Sequence, residues 1–335
     1  MDNALRAVFR WILRGLGGLL VLLVLLVGGM WLFGPVEPVE RGAPFTEDIG
    51  DPDAYLAARE AAFDDITPGT EARIVWAGES GATTDLVLVY LHGFSATSEE
   101  IRPVPDRVAE ALGANLLYTR LTGHGRGGEA LASASAGAWI DDAAEALAIA
   151  SAIGERVVVI GTSTGATLAA VAATEPDLAP QIDAVAMISP NFELANPAGR
   201  ILSWPGARIW APWIAGPERA FETVNDGHER FWTTRYPTVS VLPMAALMQE
   251  VAARDVSGVN IPLMVIFSED DRVISPPAAR AFALRWGGEV EVSVQDLPAE
   301  GADPYAHVIA GDILSPAMTE PVTAELTDWI RATLP

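Results

Sequence analysis

The segment Gly161-Thr162-Ser163-Thr164-Gly165 stands between an apolar run, Arg156–Ile160, and an Ala-rich stretch that begins at Ala166. A serine between glycines in that context fits a nucleophile elbow. A strand-to-helix turn tight enough to expose the hydroxyl crowds its neighbours, so small residues must flank it. The helix start also directs free N–H groups and a positive dipole end toward the hydroxyl. The plainer reading is an ordinary Ser/Gly turn; a strand before and a helix after favour the nucleophile.

A serine hydroxyl attacks a carbonyl only when a base removes its proton. The chain has 4 histidines and no cysteine to serve as a rival nucleophile. His92 ends the apolar run Leu86–Leu91, His124 lies in Gly123-His124-Gly125, and His228 sits in an aromatic-rich segment. His307 falls in Pro304-Tyr305-Ala306-His307-Val308, after the last strand candidate and before the last helix. Any single histidine is more often structural than catalytic. The position of His307, however, is one from which a side chain reaches a serine at the top of a sheet. The base needs a carboxylate to hold its tautomer. Glu269-Asp270-Asp271 follows the apolar run Leu263–Phe267, and such strand ends are where functional groups of open α/β sheets gather. We expect one of these three acids to be catalytic and two to be solvated; a wholly solvated acidic turn or a weak cation site is the alternative. The developing oxyanion needs preorganised donors. These are the N–H of Thr164, after the nucleophile, and that of Phe94, where Gly93 allows close backbone approach.

Short apolar runs must carry these residues. Strands are predicted at Arg73–Ala77, Leu86–Leu91, Asn115–Thr119, Arg156–Ile160, Ala184–Ile188, Leu263–Phe267 and Val290–Val294. Helices are predicted at Pro52–Asp65, capped by Asp51, and at Ser98–Leu112, Ala138–Ile153, Thr164–Ala173, Pro276–Trp286 and Pro316–Thr333. Several strands are apolar at nearly every position, as in a sheet covered on both faces. The alternation predicts a doubly wound, mostly parallel α/β core over residues 52–190 and 260–335. No convincing strand is evident over 191–259, which holds Phe192, Trp204, Trp210, Trp213, Phe221, Phe231 and Trp232. A structureless connection of that length is uncommon, so a helical cap is expected there. Its aromatic residues could form the cap's own core or line an apolar substrate tunnel.

The landmarks Leu91-His92-Gly93-Phe94, Gly123-His124-Gly125, Gly161–Gly165, Asp271-Arg272-Val273-Ile274 and His307-Val308-Ile309 occur in that order. Over about residues 70–333 the chain resembles the α/β-hydrolase superfamily. Within it, the resemblance is to the carboxylesterase and monoacylglycerol-lipase-like branch (serine aminopeptidase S33-like). The resemblance selects Asp271 among the three acids, because the family's acid usually precedes a Val-Val-like step. It implies a Ser163–His307–Asp271 triad, structural roles for His92 and His124, and an esterase or lipase acting on small-molecule esters with no metal or organic cofactor. The Thr residues beside Ser163 depart from the His or Met of many relatives, which leaves the substrate unassigned. An aminopeptidase or amide hydrolase is the alternative, with Glu218, Glu222, Asp226 and Glu229 available to capture an amine. A catalytically silent binding protein is the other. A serine at the elbow disfavours haloalkane chemistry.

The chain has 335 residues, 50% of them hydrophobic, and a net charge of −23. That apolar fraction excludes a disordered chain, and the acid excess argues against nucleic acid as a partner. Residues 1–34 carry +2 through Arg6, Arg10 and Arg14, leaving −25 for the rest. The uncharged stretch 15–36 is 22 residues long and, as a helix, would span about 33 Å, enough for a bilayer core. We therefore expect an N-terminal cytoplasmic segment (1–14), a transmembrane anchor (15–36) and an extended Pro-rich linker (37–51). The flanking charges predict an inner-membrane protein with its catalytic domain on the periplasmic side. A cleaved signal peptide is the competing reading, weakened by the long apolar stretch and the absence of an Ala-x-Ala site.

Overall fold

The apolar runs pair into one seven-stranded sheet, and the computed structural model describes residues 2–335. Its strands are β1 (Arg73–Val75), β2 (Thr84–Leu91), β3 (Asn115–Tyr118), β4 (Gly154–Thr162), β5 (Ala184–Ile188), β8 (Leu263–Phe267) and β9 (Val290–Val294). Two further strands, β6 (Glu218–Ala220) and β7 (Arg235–Pro237), form a separate antiparallel pair. The sheet order is β1-β3-β2-β4-β5-β8-β9, with β1 antiparallel and every other pairing parallel.

The helices are α1 (Asp2–Phe33), α2 (Pro52–Glu60), α3 (Val104–Leu112), α4 (Gly128–Ala132), α5 (Ala136–Ile153), α6 (Thr164–Ala172), α7 (Ala207–Ala215), α8 (Asp226–Phe231), α9 (Leu242–Ala253), α10 (Pro276–Ala283) and α11 (Thr319–Thr333). Alternate residues of each central strand face opposite ways, which explains the near-continuous apolar runs. Leu88, Tyr90, Val158, Ile160, Ala186 and Ile266 face α3 and α11. Val87, Val89, Val157, Val159, Val185 and Val265 face α5, α6, α9 and α10. This is an α/β-hydrolase core, as expected. The strand order reverses between β2 and β4, so their C-terminal ends, Leu91 and Thr162, flank the crevice where such sheets place their sites.

Most element bounds shift by up to three residues; three departures from expectation are larger. α2 is capped by Asp51, whose side chain accepts from Ala54 N–H, but it stops at Glu60. α3 starts at Val104, not Ser98, because Pro103 biases the residue before it away from helix. Residues 98–103 are thereby freed to turn inward toward the crevice. The stretch between β5 and β8 is not purely helical, since it contains the β6–β7 hairpin; strands of three residues are too short for a period-two pattern to register.

α1 is a candidate transmembrane helix: Leu5–Phe33 is long and apolar enough to cross a bilayer, and residues 5–27 are exposed throughout. Residues 37–51 contain neither helix nor strand, but they do not hang free. Arg41 donates to Asp177 at 3.0 Å and Gly42 N–H to Asp141 at 2.8 Å, strapping the segment to the core.

Candidate active site

Ser163 sits between β4 and α6 with φ +52°, a conformation costly for a residue with a side chain, and its N–H is held by Ile188 O at 2.9 Å. Both flanking glycines are required sterically. A Cβ on Gly165 would lie 1.9 Å from Leu91 O, and one on Gly161 would lie 2.6 Å from Ala166 N. The G-x-S-x-G pattern therefore records how closely β2, β4 and α6 approach one another.

Ser163 Oγ is 3.1 Å from His307 Nε2, and His307 Nδ1 is 2.8 Å from Asp271 Oδ2. All three residues are at most 9% exposed. Of the three acids after β8, Asp271 alone turns inward; Glu269 and Asp270 are exposed, and Glu269 pairs with Arg280 at 2.6 Å. The Asp271 carboxylate is fixed from behind, its Oδ1 accepting from Val273 N–H (2.8 Å) and Ile274 N–H (2.9 Å). Burial pulls the His307 pKa down, but the charge and hydrogen bond of Asp271, with Glu100 and Asp303 adding to them, outweigh it. The net shift is upward from 6.5.

Thr164 is the first residue of α6, so its N–H has no intrahelical acceptor. Across the crevice, Phe94 follows β2 and packs edge-on against Tyr236 of β7, His124 and Trp139. The structure thus gathers Ser163, Thr164, Asp271 and His307 at one edge of the sheet, with the Phe94 loop facing them. His92 and His124 lie beneath, fully buried, their rings 4.8 Å apart. Leu121 N–H donates to His92 Nε2, so His92 Nδ1 carries the proton and donates to Gly93 O. Burial lowers the His92 pKa to about 4 and holds that of His124 well below its ordinary value. Neither ring is placed to act on Ser163.

Two positioning residues escaped the sequence reading. Glu100 is buried where the chain turns inward before α3, and its Oε2 accepts from Gly93 N–H (2.7 Å) and from the Tyr90 hydroxyl (2.9 Å). The Tyr90 oxygen in turn accepts from the Thr162 hydroxyl at 3.1 Å, so one network ties the Phe94 loop to the elbow. Burial raises the pKa of Glu100, partly offset by the Gly93 N–H. Asp303 accepts from His307 N–H (3.0 Å) and Val308 N–H (2.9 Å) through Oδ2, and so fixes the loop that carries the imidazole. An acid four residues before a loop histidine is a turn signal visible in the sequence. Nothing local marks Glu100.

An elbow serine, an imidazole and a carboxylate on a sheet of this order define the α/β-hydrolase class. Residues 82–297 match the family model for serine aminopeptidase, S33, and the chain belongs to that family. The matched span includes Ser163 and Asp271 and ends before His307. Among solved structures, the chain is similar to a metagenome-derived lipolytic enzyme described with LipS and LipT. The TM-score is 0.63 and the identity 19%, over 80% of this chain and 99% of that one. It is also similar to a soluble variant of monoglyceride lipase from Saccharomyces cerevisiae, in complex with a substrate analogue (TM-score 0.57, 11% identity, 78% and 91% covered). A third is the Paleococcus ferrophilus monoacylglycerol lipase (TM-score 0.55, 15% identity, 78% and 99% covered). At these identities the likeness establishes the fold. No curated protein matches the sequence significantly.

Proposed function

We propose that the chain is a membrane-anchored serine hydrolase that cleaves carboxylic esters, with hydrophobic or lipid-like acyl groups preferred. The observation that carries this reading is the continuous relay from Ser163 Oγ through His307 to Asp271, at 3.1 and 2.8 Å. His307 Nε2 takes the hydroxyl proton as Ser163 Oγ attacks the ester carbonyl. The N–H groups of Phe94 and Thr164 hold the oxyanion, each such donor contributing about 3–4 kcal/mol to transition-state stabilisation. His307 returns the proton to the departing alcohol, leaving an acyl-serine. Water, deprotonated by the same nitrogen, then releases the carboxylic acid and restores Ser163. Asp271 keeps the Nδ1–H tautomer and stabilises the imidazolium throughout.

The near-complete burial of all three groups supports a covering role for residues 191–259: Tyr236 of that segment packs on Phe94, so admission of substrate requires the segment to move. The apolar α1 supports anchorage, with the catalytic domain on the periplasmic face of the inner membrane. Amide hydrolysis is the reading the family's name offers. The acids that would capture a substrate amine, Glu218, Glu222, Asp226 and Glu229, are all exposed, and Glu218 pairs with Arg235. This favours esters. A panel of short- to long-chain esters, with Ser163→Ala as control, tests the proposal. Turnover that rises with acyl length and vanishes in the alanine variant is expected. Unchanged turnover in Ser163→Ala, or turnover confined to aminoacyl amides, overturns it.

A further inference from the structure

The C-terminal end of α1 is joined to residues 203–216 of the insertion. Trp31 meets Trp204 edge-on, with ring centroids 5.2 Å apart. Gly206 N–H donates to Pro35 O at 2.6 Å, and Arg208 Nε donates to Glu37 Oε2 at 2.9 Å. Gly206 has φ +74°, and a Cβ there would run into the Met30 side chain, so this close contact depends on glycine. The insertion is therefore held where the apolar helix ends, with no length of free chain between them.

α7 has two faces. Ala207 and Ala211 are buried and Trp210 is half-buried on one side. Ile209 and Trp213, one turn apart, project from the other, with Trp213 88% exposed; Ile214 at the C-terminal end of the helix is 72% exposed, and Trp204 just before the helix is exposed as well. Arg208, already paired with Glu37, is the only charged residue between 203 and 216, in a chain of net charge −23. Large apolar side chains exposed together within one short segment mark a contact with another apolar surface. A short helix with Trp and Ile on one face suits the zone between headgroups and acyl chains.

We propose that α7 is a membrane-docking helix that seats Ile209, Trp213 and Ile214 in the leaflet from which α1 emerges. The occupant is the lipid surface, because the contacts with Met30, Trp31 and Pro35 fix the patch at the level where α1 leaves the bilayer. Docking is apolar, since a domain this acidic gains nothing from anionic headgroups. A hydrophobic ester would then pass from the leaflet to the insertion without crossing water. The inference rests on the reading of α1 as a membrane span.

The chain contains no cysteine, so single probes can be placed without further changes. Full-length Trp213→Cys and Ile209→Cys, labelled with an environment-sensitive fluorophore, are reconstituted in phosphatidylcholine vesicles. Leu284→Cys, an exposed position in the core, serves as the water reference. The expected result is blue-shifted emission at 213 and 209 but not at 284. Shallow spin-labelled lipids should quench the two probes more than deep ones, as a helix about 5–10 Å below the surface requires. Protein retained in vesicles after alkaline washing, with all three probes reporting water, overturns the docking and leaves the anchor standing. Release of the chain by the same wash overturns the anchor reading and the docking with it. A blue shift at 213 that persists in detergent without lipid and grows with protein concentration assigns the face to a second copy of the chain, and also overturns the proposal.

Discussion

Replacing Asp271 with Asn changes one atom and should abolish most of the activity, for a reason set by two backbone N–H groups. Oδ1 accepts from Val273 N–H and Ile274 N–H at 2.8 and 2.9 Å, while Oδ2 faces His307 Nδ1 at 2.8 Å. In Asp271→Asn the amide oxygen must stay with the two N–H donors, so the NH2 group faces Nδ1. An NH2 group only donates, so Nδ1 must accept and the ring proton moves to Nε2. Nε2–H then points at Ser163 Oγ and can no longer take its proton. Turning the amide over to restore the tautomer leaves two buried donors unpaired, at about 1–3 kcal/mol each, or roughly 2–6 kcal/mol in all. The expected loss in kcat is about 10²–10⁴-fold. The assay is kcat on a chromogenic ester, with circular dichroism to verify the fold. A folded Asp271→Asn enzyme whose kcat stays within about tenfold of the parent would refute the tautomer argument.

Further outcomes follow from the same geometry. Since the pKa of His307 is raised and its neutral form is the base, kcat/KM should fall with acid through a midpoint above 6.5. Glu100→Gln should move that midpoint down by removing a nearby negative charge, whereas an unmoved midpoint would mean that Glu100 has no electrostatic hold on the base. The sign for stability is opposite: the raised pKa of His307 adds stability that is complete below pH 6.5 and lost as pH rises through the folded value. His92 is depressed, so its contribution is present above pH 6.5 and lost on acidification toward about 4, costing up to ~3 kcal/mol. Imidazole NMR titration should show His92 neutral down to about 4. Gly165→Ala, forced against Leu91 O, should lower both melting temperature and activity; an alanine variant as active and stable as the parent would contradict the elbow packing. Glu60→Ala leaves the buried Arg120 guanidinium without its 2.5 Å partner and should cost about 3–5 kcal/mol by denaturant unfolding. A cost below about 1 kcal/mol would mean that water reaches the charge.

Residues whose roles depend on local chain geometry were legible in the sequence. The central sheet strands stood out because a strand covered on both faces is apolar throughout, and three of the seven, Ala184–Ile188, Leu263–Phe267 and the edge strand Val290–Val294, have the expected bounds. Gly161 and Gly165 were legible for a related reason, as only glycine fits where three backbones meet. Contacts made across the fold were not. Glu100 reads as one more acid in a polar turn, and only folding brings it under Gly93 and Tyr90. The strapping of residues 37–51 depends on Asp141 and Asp177, about a hundred residues or more away, which the Pro-rich composition of an extended linker does not reveal. The β6–β7 hairpin was hidden because its strands are shorter than any periodic signal.

The most direct test of the central claim is covalent capture of the nucleophile: membranes containing the full-length protein are treated with a fluorophosphonate probe, and the modified peptide is mapped by mass spectrometry. One adduct on Ser163, strongly reduced in His307→Ala, is expected. An unlabelled protein, or an adduct on any other residue with Ser163 untouched, would contradict it.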